Sequence, residues 1–131
     1  MNRKLLIIDD EDDIREVASL TLELNEGWDV AAARSGAEGL KLAHGAPPDA
    51  ILLDVMMPDM DGPTTLRLLR HLPETQSIPV IFLTAKVQAA DHRRYLEMGV
   101  NGVIAKPFDP LTLGRTICEC LSWGMKDNDE C

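Results

Sequence analysis

The sequence predicts an α/β fold, a three-layer (βα)5 doubly wound sandwich in which helices cover both faces of a parallel sheet. Short continuous apolar runs recur along the chain, as is typical of strands buried on both faces. Segments with a helical spacing of apolar residues separate these runs, and the connections are short. The length of 131 residues, with 45% apolar and 27% charged residues, fits one globular domain.

Five strands are predicted. Four are uniformly apolar and occupy residues 5–8, 50–53, 80–83 and 103–105. The remaining strand, residues 28–32, alternates imperfectly and is therefore expected at an edge of the sheet.

Five helices alternate with these strands. They are predicted at about 12–25, about 36–44, from Pro63 to before Pro73, at 87–98 and at 111–123. Ser35 and Glu38 have the spacing of a capping box at the start of the second helix. Asp12 or Asp13 is expected to cap the first helix, because short acidic side chains favour helix N-termini.

Charge and composition exclude several classes of function. The chain has 22 acidic and 13 basic residues, a net charge of -9 and no Lys/Arg cluster in the sequence, so direct nucleic-acid binding is not expected. No apolar run approaches the ~20 residues of a membrane span, and the N-terminus lacks a leader pattern. Cys118, Cys120 and Cys131 have no CxxC spacing and are interpreted as reduced thiols. We therefore expect a cytoplasmic protein.

Polar residues follow the apolar strands at the point where each strand ends. Asp9 and Asp10 follow the first strand, Asp54 the third, Thr84 the fourth and Lys106 the fifth. Ligands bind at this edge of open parallel sheets. If the strand order is 2-1-3-4-5, the three aspartates converge in one pocket.

Three carboxylates in one pocket repel one another unless a cation lies between them. Oxygen ligands of this kind suit Mg²⁺, and Mn²⁺ could substitute. Lys106 and Thr84 suit the oxygens of a phosphoryl group. The set therefore predicts phosphoryl transfer to a carboxylate, with Asp54 as the nucleophile.

Four motifs occur in order, each after a predicted strand. They are Ile-Ile-Asp-Asp-Glu at 7–11, Leu-Asp-Val-Met-Met-Pro-Asp-Met-Asp-Gly at 53–62, Leu-Thr-Ala at 83–85 and Ala-Lys-Pro-Phe at 105–108. With these motifs, residues 3–122 resemble a CheY-like response-regulator receiver domain of bacterial two-component systems. The resemblance implies a flavodoxin-like sheet of order 2-1-3-4-5.

The resemblance also implies roles for individual residues. Asp54 would accept a phosphoryl group from a phosphohistidine on a sensor histidine kinase or a histidine phosphotransfer protein. Asp10, Asp54 and the backbone carbonyl of Met56 would bind Mg²⁺ directly, and Asp9 would bind it through water.

Thr84 and Lys106 would contact the phosphoryl oxygens and report the arrival of the group. The Lys106–Pro107 bond is expected to be cis. Gly62 is interpreted as a structural turn residue rather than a catalytic one. The protein would catalyse only its own phosphorylation and dephosphorylation.

We expect the domain to span residues 1–123 and residues 124–131 to form a short polar tail. A stand-alone receiver of this kind would signal through a phosphorylation-dependent contact with a downstream protein, or would pass the phosphoryl group on in a phosphorelay.

Val103 departs from a common pattern of the family, since many receivers have Tyr or Phe three residues before the lysine. A β-branched aliphatic side chain has no large ring to reorient. We therefore expect phosphorylation to act mainly through Thr84 and the following loop, residues 85–89.

Three alternatives remain open. A haloacid-dehalogenase-like phosphatase also uses an aspartyl-phosphate, and residues 10–12 have its D-x-D spacing, but that assignment leaves Asp54 unexplained. A flavodoxin-type flavin carrier would need a loop that attracts phosphate, whereas the five acids at 9–13 would repel it. A receiver-like binding module that never receives phosphate would be expected to have lost part of the acidic pocket.

Overall fold

A computed structural model describes residues 2–123. Its elements are, in chain order, β1 (Lys4–Ile8), α1 (Asp12–Glu26), β2 (Asp29–Ala33), α2 (Gly36–Gly45), β3 (Ala50–Asp54), α3 (Gly62–His71), β4 (Val80–Thr84), α4 (Ala89–Glu97), β5 (Gly102–Ala105) and α5 (Leu113–Leu121). The five strands are parallel and ordered β2-β1-β3-β4-β5. The predicted fold class and strand order are confirmed.

Two hydrophobic clusters lie on opposite faces of the sheet. Alternate residues of a strand point to opposite faces, so Leu5 and Ile7 of β1 join one cluster while Leu6 and Ile8 join the other. The first cluster is completed by α1 and α5 and the second by α2, α3 and α4. The sheet is thus the central layer of a three-layer sandwich.

The edge position of β2 explains its weak sequence pattern. It pairs with β1 alone, from Lys4–Asp29 to Ile8–Ala33, and most of its residues are exposed. By contrast, every residue of β3 and β4 is buried. Strands covered on both faces need continuous apolar residues, whereas an edge strand does not.

The register of the sheet brings the strand ends to one level. Ile8 pairs with Leu53, and Asp54 pairs with Leu83. The next pair along the same edge is Thr84 with Ala105. Residues that follow β1, β3, β4 and β5 therefore emerge side by side.

One helix cap and two helix starts differ from the predictions. The N-cap of α1 is Glu11, without a side-chain cap, and Asp12 and Asp13 lie inside the first turn, so the predicted aspartate cap is wrong. The fourth helix begins at Ala89 rather than Val87, because Lys86 donates its backbone N–H to Thr84 Oγ1 and extends the loop.

The fifth helix is also shorter than expected. Asp109 accepts a hydrogen bond from the Leu111 backbone N–H and forms a local turn, which delays the helix to Leu113. At the second helix, Ser35 caps as predicted by accepting a hydrogen bond from the Glu38 N–H at 3.1 Å. The Glu38 carboxylate accepts its hydrogen bond from the N–H of Arg34.

The cysteines differ in state. Cys118 is disulfide-bonded, so the expectation of three reduced thiols is wrong there, and Cys120 is a free, half-buried thiol. The polar tail at 124–131, which includes Cys131, lies outside the described residues. Within residues 2–123, no helix combines the length and apolar character that crossing a bilayer requires.

Candidate functional site

Asp54 ends β3 in the interior of the protein. Its residue exposure is 2%, and its neighbours in the strand are fully buried. Oδ1 accepts a long hydrogen bond of 3.3 Å from the Met56 backbone N–H. Oδ2 is buried and accepts no hydrogen bond from residues 2–123. A buried carboxylate oxygen that accepts no hydrogen bond raises the free energy of the folded state. It therefore indicates that the pocket binds a further positively charged group.

Asp9 and Asp10 lie beside Asp54 at the end of β1. Asp9 is fully buried, and its Oδ1 accepts a hydrogen bond of 2.8 Å from the Glu11 N–H. Asp10 is exposed. One carboxylate oxygen from each of the three aspartates lies within 4.8 Å of the others. The tertiary structure thus brings together the three aspartates that the sequence singled out.

Lys106 follows β5 and directs its ammonium into this acidic pocket. Nζ lies 2.9 Å from Asp9 Oδ2, 3.3 Å from Asp54 Oδ1 and 3.7 Å from Glu11 Oε1. The lysine side chain is 13% exposed. Its own backbone N–H donates to Thr84 O, which fixes the main chain at the point from which the side chain extends.

The electrostatics of the pocket follow from burial and crowding. Burial raises the pKa of the Asp54 carboxyl to about 7, and the Asp9 charge acts in the same direction, while Lys106 opposes both. Burial lowers the pKa of the Lys106 ammonium, but the pairing with Asp9 and Asp54 outweighs it, so the net shift is upward. One ammonium therefore compensates only part of the negative charge.

The donor set fits a divalent cation. Asp9, Asp10 and Asp54 offer oxygen ligands only, which hard cations such as Mg²⁺ prefer. The unpartnered Asp54 Oδ2 provides a buried ligand atom, and the exposed Asp10 leaves a side open for water. A second positive charge at this place would offset both the burial and the Asp9 charge that raise the pKa of Asp54.

Thr84 lies across the sheet edge from this pocket. It ends β4, is fully buried, and its Oγ1 accepts a hydrogen bond of 3.0 Å from the Lys86 N–H. The hydroxyl is therefore tied to the first turn of the β4–α4 loop. A group that attracts the Thr84 hydroxyl would also pull on this loop.

The β3–α3 loop passes close to Asp54, and Gly62 has a different role from the one predicted. Its φ is not positive, whereas Asp59 in the same loop has a φ of 69°. A Cβ on Gly62 would lie 2.7 Å from the carbonyl oxygen of Asp54. Glycine is needed for close backbone approach and not for a left-handed turn. The Lys106–Pro107 bond in the next loop of the site is cis.

Two further residues belong to the site. Glu11, the last residue of the 7–11 motif, lies 3.7 Å from Lys106 Nζ with a side chain that stays largely exposed. Arg15 of α1 donates from Nη1 to the Asp9 carbonyl at 2.8 Å and also pairs with Asp12. The sequence signal for Arg15 is its place one turn into the helix after an acidic loop, a position from which a long side chain reaches back to the strand end.

Comparison with known proteins gives one consistent family. The family described as "Response regulator receiver domain" matches residues 5–117. The PhoP alkaline phosphatase synthesis transcriptional regulatory protein of Bacillus subtilis is 40% identical over 110 residues, 84% of this chain and 45% of that protein. An uncharacterized 14.6 kDa protein of Leptolyngbya boryana is 36% identical over 120 residues, 91% of both chains.

A solved structure of the chemotaxis response regulator CheY4 of Vibrio cholerae matches with a TM-score of 0.85 and 32% identity, covering 92% of this chain and 99% of that one. The chain spans about half the length of the first curated relatives, 45%, 44% and 43%.

Proposed function

The chain belongs to the response regulator receiver domain family, and on that premise we propose that it accepts a phosphoryl group on Asp54 in a metal-dependent reaction. The observation that carries the proposal is the buried Oδ2 of Asp54, which has no hydrogen-bond donor beside two other aspartates. A carboxylate that only stabilised the fold would have its oxygens satisfied.

The transfer follows from the chemistry of the residues. An Asp54 carboxylate oxygen forms a new O–P bond to the phosphorus of a phosphohistidine, and the N–P bond breaks with its electron pair left on the imidazole nitrogen. Lys106, 3.3 Å from Asp54 Oδ1, neutralises charge on the transferred group. Mg²⁺ held by Asp10, Asp54 and the Met56 backbone carbonyl would add positive charge beside the phosphoryl oxygens. The donor is a histidine kinase or a histidine phosphotransfer protein.

The metal ligands we propose are Asp10, Asp54 and the Met56 backbone carbonyl, with Asp9 acting through water. The two buried aspartates differ in a way that supports this division. Neither Asp9 Oδ2 nor Asp54 Oδ2 makes a hydrogen bond of good geometry within residues 2–123. Asp9 Oδ2 nevertheless lies 2.9 Å from Lys106 Nζ, and Asp9 Oδ1 accepts the Glu11 N–H, whereas Asp54 Oδ2 has no ion pair either. Asp54 Oδ2 is therefore more available than the Asp9 oxygens to coordinate a metal ion directly.

Mg²⁺ should stabilise the fold because it binds the native pocket and not the unfolded chain. At a tenfold excess over its Kd the free energy of unfolding should rise by about 1.4 kcal/mol. Asp10→Asn should lose most of this gain, and it should match or exceed the stability of the parent protein without metal because one repelling charge is gone. Thermal melts with and without Mg²⁺ measure both effects. Equal Mg²⁺ shifts in the two proteins would contradict the assignment.

The phosphorylation signal should leave the site through Thr84. Val103 is partly buried and packs against the cluster that holds Phe82 and Tyr95, and it carries no ring to reorient. With beryllofluoride as a phosphoryl mimic, we expect the largest amide chemical-shift changes in NMR spectra at residues 84–95. Thr84→Ala should reduce these changes. Larger changes around Val103 and α5, with 84–95 unaffected, would show that the route is wrong.

The partners and location we propose follow from family membership. A sensor kinase or phosphotransfer protein supplies the phosphoryl group, and a downstream protein target or a phosphorelay receives the signal. The site supports self-phosphorylation and self-dephosphorylation, without turnover of another substrate. Such a domain works in the cytoplasm.

The alternative functions find no support in the described residues. In the D-x-D assignment Asp12 would face the pocket, but its side chain is 88% exposed and pairs with Arg15. A flavin phosphate would meet Asp9 and Asp10 at the strand end where it needs donors. A phosphate-independent module would have no use for the unpartnered Asp54 oxygen.

A further inference from the structure

Residues 62–95 carry an excess of positive charge in an otherwise acidic protein. This stretch contains five Lys/Arg residues and two acids, whereas the whole chain has a net charge of -9. Four of these cations line two adjoining cavities between α3 and α4, namely Arg67, Arg70, Lys86 and Arg94. Within residues 2–123, neither Arg67 nor Arg70 forms an ion pair. Arg67 interacts electrostatically with the exposed Asp61 carboxylate, and Arg70 has no acidic partner among these residues, so both guanidinium groups can still pair with the carboxylates of another protein.

The two cavities adjoin and together define one surface groove. The first, of about 620 Å³, is lined by Leu66, Arg67 and Arg70, and the second, of about 530 Å³, by Met57, Lys86 and Arg94. Both are also lined by Pro63 and Met98, which form the boundary between them. We name this surface, on the side of the sheet opposite α1 and α5, the α3–α4 groove.

Apolar side chains form the floor of the α3–α4 groove and cations form its rim. Leu66 is 3% exposed and Met57 8%, so they form a fixed floor, while Met98 is 38% exposed. Methionine adapts its shape to different apolar partners. The groove thus combines a fixed apolar floor and the adaptable Met98 with guanidinium groups that bind carboxylates in a bidentate manner.

Arg70 is held in a position that suits recognition. Its Nη1 donates to the Ile78 carbonyl at 2.8 Å, so the guanidinium is fixed while its other N–H groups remain as donors. Arg67 lies one turn earlier on the same helix and is exposed. Among residues 2–123, one acid lines the groove, Asp61, which accepts a hydrogen bond from the Thr64 N–H at the start of α3.

We propose that the α3–α4 groove binds an acidic segment of a partner protein, with an apolar side chain seated beside Leu66 and Met98 and carboxylates paired with Arg67 and Arg70. The two adjoining cavities, of about 620 and 530 Å³, have room for several side chains of a peptide. The protein has a net charge of -9, which would repel the phosphates of a nucleic acid that extend beyond the groove. A short acidic segment would interact mainly with charges within the Debye length of roughly 8 Å, and these are the cations of the groove.

The test is fluorescence anisotropy with a labelled amphipathic helical peptide of about 16 residues, which carries leucine on one face and glutamate on the other. The unphosphorylated protein is used, so the result does not depend on whether Asp54 accepts phosphate. We expect binding that Arg67→Glu weakens on the order of tenfold. Arg115→Glu on α5 makes the same charge change on the other side of the sheet and should leave the affinity within about twofold.

Several outcomes would overturn the proposal. One is equal weakening by the two variants, which would indicate a general effect of net charge. Another is equal or tighter binding of the peptide with lysine in place of glutamate. Tighter Arg67-dependent binding of single-stranded DNA, or of vesicles containing phosphatidylserine, would replace the acidic protein segment with that ligand. Circular dichroism of each variant verifies that the fold is intact.

Discussion

Asp54→Ala should show no covalent phosphorylation when the protein is incubated with acetyl phosphate and Mg²⁺. Asp54 combines a strand-end position, a carboxylate oxygen without a donor and contact with Lys106. Asp9 is held by Lys106 and the Glu11 N–H, and Asp10 is exposed, so neither can replace it. Intact-protein mass spectrometry should find one phosphoryl group on the parent protein and none on the variant. Excess chelator should have the same effect as the substitution.

The matched control is Asp59→Asn, which removes an exposed carboxylate from the loop that follows Asp54. Asp59 has a positive φ of 69°, which asparagine also tolerates, so the loop should keep its shape. Phosphorylation of this variant should equal that of the parent protein. Persistent labelling of Asp54→Ala would assign the phosphoryl group to another residue.

Loss of the fold does not explain the expected result for Asp54. The pKa of Asp54 is raised to about 7, so the folded state favours the protonated carboxyl. Ionisation of this carboxyl therefore lowers the free energy of unfolding as the pH rises from about 4 through 7. Asp54→Asn removes that cost. At pH 8 without metal it should therefore melt at or above the temperature of the parent protein, while still failing to accept phosphate.

Lys106→Met should cause the largest loss of stability among the site variants. Its ammonium is the cation that contacts both buried aspartates, and without it Asp9 and Asp54 become uncompensated buried charges. Removing one member of a buried ion pair costs about 3–5 kcal/mol. Urea unfolding at pH 8 without metal should show a loss of this size.

The loss caused by Lys106→Met should depend on pH and on metal. At pH 5, below the Asp54 pKa of about 7, that carboxyl already carries a proton and the missing ammonium matters less. Mg²⁺ should restore part of the stability at pH 8 by supplying positive charge. The control is Lys86→Met, an exposed lysine of the neighbouring loop, which should change stability by less than about 0.5 kcal/mol. A pH-independent loss would indicate that Lys106 acts through packing alone.

The sequence by itself determined the fold class and the edge of the sheet at which the site lies, the carboxyl ends of the strands. Apolar runs and helical periodicity are local patterns, so the buried strands at 50–53 and 80–83 were recognisable without contacts. The polar residue at each strand end was also visible, which is why Asp9, Asp54 and Lys106 could be grouped before any distance was known. The weaker pattern of β2 likewise predicted its edge position, since an edge strand is covered less.

Only the tertiary structure decided how these side chains share their contacts. The sequence could not show that Lys106 contacts Asp9, Asp54 and also Glu11, because these distances depend on strand order and register. Gly62 was assigned to a turn, whereas its need for glycine comes from the Asp54 carbonyl, which approaches from another element. Local loop hydrogen bonds set the starts of α4 and α5.

The α3–α4 groove shows the same limit. Its cations are spread from Arg67 to Arg94, so no Lys/Arg cluster is visible along the chain. The packing of α3 and α4 on one face of the sheet brings them to one surface. Periodicity is a property of neighbours in the sequence, but charge density and burial are properties of neighbours in space, and only the folded chain specifies those.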